Sequence, residues 1–149
     1  ADGREGDGER YFSDAWDGYP AARQRLMDLF AQGVCANPVV LGGDVHSFWV
    51  TDLKQDFADE TAPAVASEFV GTSITSQPPP EDRIQATLRE NPHIHYATGE
   101  HRGYLRLTVT PQRLTVDLRG VAGVRERDAA CETVASFIVE DGVPGPMRG

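Results

Sequence analysis

Pro38 to Trp49 reads PVVLGGDVHSFW, and the choice of fold turns on that stretch. Val39, Val40 and Leu41 make an apolar run rich in β-branched side chains, which predicts a buried strand. Gly42 and Gly43 break the run, since glycine reaches backbone angles closed to other residues and lets the chain turn sharply as it leaves a sheet. An acid and an imidazole follow two residues apart, at Asp44 and His46. In open α/β sheets, ligands gather beyond the carboxyl ends of strands. Asp44 offers a hard oxygen and His46 a neutral nitrogen, a pair suited to a hard or borderline cation. On residue types alone, Asp44-Val45-His46 also fits a polar turn in which the aspartate bonds its own backbone.

Working outward, Phe48 to Thr51 reads as a second strand, so close to the first that the Asp44–His46 loop should join neighbouring strands. Upstream, a helix is expected, with Asp17 as N-cap, Pro20 in its first turn and Gly33 at its end. Ala22, Leu26, Leu29 and Phe30 would form its buried stripe. Downstream, Lys54 to Thr61 is a polar loop and Ala64 to Val70 a third strand. Ser76 to Pro80 (SQPPP) is an extended spacer before a short helix carrying Ile84 and Leu88, closed by Asn91-Pro92. The clearest signal lies between Gly103 and Leu118. Leu105, Leu107 and Val109 alternate with polar residues, Thr110 to Arg113 turns, and Leu114, Val116 and Leu118 alternate again, which predicts a hairpin with one buried face. A last strand is expected near Ser136 to Glu140. The pattern is strand-rich with two helices, hence α+β or a layered α/β arrangement.

Composition narrows the function classes. With 149 residues the chain can hold one domain with a core, and its net charge of −9 and pI near 4.8 leave no basic surface for nucleic acid. No apolar run is long enough to cross a bilayer, so no membrane partner is expected. ADGREGDGER, at the start, reads as the middle of a longer protein cut at a linker, or as a mature chain after processing. Residues 1–13 are expected to be a polar linker or disordered, 14–142 the folded domain, and 143–149 a loose tail. Cys35 and Cys131 show no metal-knuckle spacing and read as buried apolar residues rather than a disulfide.

Four segments together resemble one family. WDGYPAARQRL (Trp16 to Leu26), VLGGDVHSFW (Val40 to Trp49), SEFVGTSITS (Ser67 to Ser76) and HRGYLRLTVT (His101 to Thr110) follow the order seen in PhoD-like alkaline phosphatases. That family is part of the calcineurin-like metallophosphoesterases, a two-sheet sandwich flanked by helices (layered αββα). The resemblance implies the C-terminal half of that sandwich, mostly β with two helices. It implies a phosphomonoesterase or phosphodiesterase, with calcium and iron binding the phosphate and a metal-bound hydroxide attacking it. It implies Asp44 and His46 as metal ligands, His46 being the catalytic residue through its metal. In the wider superfamily the loop reads Gly-His-x-His; Asp44 stands for the first histidine, as is usual in PhoD-like proteins. The remaining ligands of that superfamily sit in an N-terminal half, in an Asp-bearing first strand, a Gly-Asp-x-x-Asp loop and an Asn-His-Glu-like loop. None of these motifs occurs before Gly42, so the chain alone is expected to be inactive. The resemblance also implies a periplasmic or secreted protein.

Other polar residues stay open on sequence. His93 and His95 would face one side of a strand, as a second metal pair or as core-edge imidazoles. His101 and Arg102 fit an anion contact or a solvated loop. Glu68, among apolar strand residues, fits a support group near the metals or a half-exposed face. Trp16, Tyr19 and Trp49 read as packing residues, with Phe48 and Trp49 also placed to wall a pocket. The competing class is a non-catalytic binding or oligomerisation module derived from the same fold. A half-sandwich would expose apolar surface and self-associate.

Overall fold

The hairpin that the sequence predicts forms, and a second sheet packs against it, but its apolar face is buried only in the later strand: Val116 and Leu118 are buried, whereas Leu107 and Val109 are exposed. The computed structural model describes residues 14–149; the linker expected at 1–13 lies outside the described residues. A 3-10 turn at Trp16–Gly18 leads into α1 (Pro20–Ala31). There follow β1 (Val39–Gly42), β2 (Phe48–Lys54), β3 (Ala64–Val70), α2 (Glu81–Glu90), β4 (Ile94–Thr98), β5 (Arg102–Val109), β6 (Arg113–Val121), β7 (Glu132–Glu140) and β8 (Met147–Arg148). The first sheet has the order β1-β3-β2-β4 and the second β5-β6-β7-β8. α1 lies against β3 and α2 against β4. The architecture is therefore mostly β, two sheets with two helices. No helix among the described residues is long and apolar enough to cross a membrane.

The core is the contact between the sheets. Phe48, Val50 and Phe69 from the first meet Val116, Leu118, Ala135, Phe137 and Val139 from the second, all buried. Their spacing of two along each strand is what puts them on one face.

Several expectations need correction. β1 is not a neighbour of β2, because β3 lies between them, parallel to β1 and antiparallel to β2. β1 is also not a buried strand: it stands at the edge, and Leu41 is 56% exposed, since no strand among the described residues pairs with its outer side. Asp17 does not cap α1. It pairs instead with Arg23 (2.8 Å), and Tyr19 stands at the cap. Gly33, at φ 69°, does follow the end of the helix. Met27, not Leu29, is the residue of α1 that is buried. Trp16 and Tyr19 are exposed rather than packed, and Cys35 and Cys131 are both exposed free thiols.

The tail is not loose either. β8 pairs with β7, Gly149 N–H donates to the Ser136 carbonyl (2.9 Å), and the Arg148 guanidinium lies 5.5 Å from the Tyr96 ring centre and 5.6 Å from that of Phe137. Stacking over two rings offsets the short length of this strand. On the opposite side of the sandwich, Asn37 bonds the Glu140 carbonyl and accepts from Gly142 N–H (2.8 Å), which fastens the start of β1 to the end of β7.

Gly103 is the tightest point of the second sheet. A side-chain carbon there would come within 1.8 Å of the Arg119 carbonyl oxygen in β6, a backbone atom that cannot swing aside. Gly103→Ala is expected to cost about 3 kcal/mol or more of unfolding free energy. Urea denaturation of the variant beside the parent chain measures it, and equal midpoints would contradict this packing.

Candidate metal centre

β1 and β3 run in parallel and end at the same place, with Gly42 paired to Val70. The Asp44–His46 loop leaves from that carboxyl edge and arcs over the end of β3 to reach β2. Gly71 N–H donates to the Gly42 carbonyl (3.0 Å), and Thr72 Oγ1 contacts the carbonyls of His46 (3.2 Å) and His101 (3.0 Å). The segment leaving β3 thus holds the loop from below.

The turn is made differently from the sequence reading. Neither Gly42 nor Gly43 adopts a left-handed conformation; Asp44 (φ 72°) and His46 (φ 59°) do. Gly42 earns its place by close approach, since a side-chain carbon there would lie 3.3 Å from Val70 Cγ2. For residues other than glycine the left-handed region costs of order 1–2 kcal/mol each. Two such residues flanking Val45 put strain on the two positions that carry the candidate ligands. Asp44 is exposed and His46 partly so, with His46 Nδ1 3.1 Å from the Gln77 carbonyl.

The other polar residues separate into distinct places. Glu68 sits in β3 between Val40 and Thr51, its carboxylate 3.8 Å from where a side chain on Gly42 would begin. Burial raises its pKa. Its carboxylate therefore favours the fold while protonated, and that contribution is lost as pH rises from the ordinary glutamate range through the raised value. His93 and His95 do not form a joint site. His93 precedes β4 and meets the Phe57 ring edge-on (5.0 Å), while His95 Nε2 pairs with Asp52 Oδ2 (3.0 Å). Asp52 holds the His95 imidazole above its usual range, and burial lowers that of His93. The His95 contribution is complete at acid pH and lost as pH rises through its raised value; that of His93 is lost as pH falls below the usual imidazole range. His101 and Arg102 are not in a solvated loop. Both are partly buried, and His101 Nδ1 and Arg102 Nε are buried without a hydrogen-bond partner among the described residues.

Among the described residues, no three His, Cys, Asp or Glu side chains stand together as a metal-holding group. Asp44 and His46 fit a metal by donor chemistry, an exposed carboxylate and an imidazole whose Nδ1 faces a carbonyl. In number they make only part of a site.

A family model described as PhoD-like phosphatase matches residues 1–118. The chain belongs to the PhoD-like phosphatase family. Alkaline phosphatase D of Bacillus subtilis (strain 168) is 43% identical to it over 133 residues, covering 87% of this chain and 23% of that protein. A solved chain described as "Structure of PhoD" matches with a TM-score of 0.83 and 40% identity, covering 93% of this chain and 27% of that one. The chain spans about a quarter of the length of these relatives. Its two sheets and two helices match that PhoD structure.

Gln77 is a residue at this site that the sequence did not mark. It acts through a main-chain carbonyl, which any residue carries, so no side-chain signal pointed to it.

Backbone strain at Asp44 gives a stability test. Asp44→Gly and Asp44→Ala both remove the carboxylate, but only glycine relieves the left-handed φ. The glycine variant is expected to be more stable than the alanine variant by about 1 kcal/mol. Thermal unfolding of the two compares them directly; an alanine variant equal or superior would show that Asp44 is unstrained.

Proposed function

We propose that this chain contributes Asp44 and His46 to the metal centre of a phosphoesterase, which hydrolyses phosphate monoesters or diesters. The observation that supports this most is the strained Asp44–His46 loop at the joint carboxyl edge of β1 and β3 in a chain of the PhoD-like phosphatase family. Strain of this kind persists where surrounding structure over-determines it, and it collects at functional sites. The Asp44 oxygen suits calcium, and the carboxylate–imidazole pair suits iron. Metal ions at such a site neutralise the charge that builds on the phosphoryl oxygens. His46 and Asp44 would hold and orient them from this side. The remaining ligands would come from a part of the fold this chain does not carry, so the chain by itself would be inactive. Family resemblance alone supports a periplasmic or secreted location.

A chimaera tests the reading. Residues 14–149 replace the matching segment of the Bacillus subtilis enzyme, and release of product from an aryl phosphate is followed with calcium and iron supplied. His46→Ala is expected to lower turnover by more than the roughly 10- to 100-fold typical of losing an outer-shell partner. His93→Ala should leave it unchanged, because that side chain packs on Phe57. The 149-residue chain alone should stay at the blank rate. Full activity in the His46→Ala chimaera would refute the ligand role.

The second reading, a module that self-associates, is favoured by one feature. β1 and β5 each have an outer edge unpaired among the described residues, and between them lies an apolar groove lined by Val39, Leu41, Leu107, Val109, Leu114 and Val139. Val109 is 78% exposed. Open edges beside exposed apolar side chains favour association. Sedimentation of the 149-residue chain should show mass rising with concentration, and Val109→Lys should lessen it. A monodisperse monomer at high concentration would exclude this.

A further inference from the structure

His46 Nδ1 lies 3.1 Å from the Gln77 carbonyl oxygen. A carbonyl only accepts, so a hydrogen bond here puts the proton on Nδ1 and leaves Nε2 with its lone pair free. A neutral imidazole exposed to water prefers the opposite tautomer, so this arrangement has to be imposed by the protein. The means lie in the segment that carries Gln77. Its own side chain accepts at Oε1 from Arg102 Nη2 (3.2 Å), and Arg102 Nη1 donates to the Gly99 carbonyl (2.9 Å). Gly99 N–H in turn donates to Glu81 Oε2 (2.8 Å), at the first residue of α2. The segment also packs closely on Gly99, where a side-chain carbon would stand 2.8 Å from both Pro78 Cβ and Ile84 Cδ1.

Arg102 is suited to this task in a way lysine is not. Its planar fork reaches a side-chain amide and a main-chain carbonyl at once, whereas an ammonium is a single point. We propose that Gln77 and Arg102 are positioning residues for His46: Arg102 pins the Gln77 segment, whose carbonyl fixes the Nδ1–H tautomer and presents Nε2 to the metal. Outer partners of metal-bound histidines commonly fix tautomer and ring orientation in this manner. The assignment rests on the reading of His46 as a ligand.

The tautomer is read by nitrogen-15 NMR of the labelled 149-residue chain at alkaline pH, with no metal or substrate added. The expected result is predominance of the Nδ1–H form. Gln77→Met removes the acceptor for Arg102 and should shift the tautomer ratio toward Nε2–H by roughly fivefold, the worth of one net hydrogen bond. Gln77→Glu keeps an acceptor at the same position and should retain the parent ratio, a distinction that a merely structural role would not produce. The Gln77 side chain is exposed, so neither exchange threatens folding. Predominance of Nε2–H in the parent chain, or a Gln77→Met ratio equal to the parent's, would overturn the proposal. Because the tautomer is read without metal, its failure leaves the chimaera result standing. A His46→Ala chimaera that keeps its activity overturns the ligand reading and this assignment with it.

Discussion

Contact between the two sheets is the interaction on which everything else in this molecule depends. Phe48, Val50 and Phe69 meet Val116, Leu118, Phe137 and Val139 in a layer that water does not enter. Each fully buried side chain of this size is worth about 1.5–3 kcal/mol relative to exposure. No other feature of the described residues gathers so much apolar surface. The layer fixes which face of β3 looks inward, and β3 fixes where β1 ends. The position of the Asp44–His46 loop follows from that. The loop is short and its two key residues are strained, so it owes its shape to the sheet beneath it rather than to its own preferences.

Much of the fold was legible in the sequence wherever the physics is local. Two-residue alternation from Leu105 to Leu118 marks the β5–β6 hairpin, but its apolar face is buried only along β6, at Val116 and Leu118, while Leu107 and Val109 of the edge strand β5 are exposed. The strap of prolines before α2 and the ends of β3 follow from composition in the same way. Strand order was not legible. Five residues separate β1 from β2, which favours a direct hairpin, yet β3 takes the place between them. Parallel pairing of β1 with β3 is a long-range choice and leaves no mark in either segment alone. Exposure at β1 departs from the sequence expectation for a related reason. Val39-Val40-Leu41 has the composition of a strand flanked on both sides, while among the described residues one flank is open. The tail carries no strand signal because β8 has only two residues, and Arg148 stacks on rings far away in sequence.

The candidate site divides along the same line. Asp44 and His46 announced themselves by residue type, since few patterns place an acid and an imidazole just past a glycine pair. Their support did not. The Gln77 carbonyl is backbone, Arg102 fits on sequence only an anion contact or a solvated loop, and the folded chain brings the two together. The glycine pair suggests the turn, whereas the ligand candidates themselves take up the left-handed backbone. That difference matters physically: the left-handed backbone falls on the two candidate ligands themselves, and a polar side chain beside its own backbone is better suited to that region than most.

Insertion of β3 between β1 and β2 also sets which length changes the gene can tolerate. Successive side chains of a strand point to opposite sides, so a slip of β3 by one residue exchanges its two faces. Phe69 would leave the apolar layer and Glu68 would enter it, and both neighbouring ladders would have to break for that to happen. The connection from 55 to 63 can lengthen at small entropic cost, because loop closure grows only slowly with length. A codon gained or lost inside β3 has no such latitude. The approach to this strand can therefore change length more readily than the strand itself, which is held to a fixed count, and the parity of seven residues stands guard over the position of the loop above it.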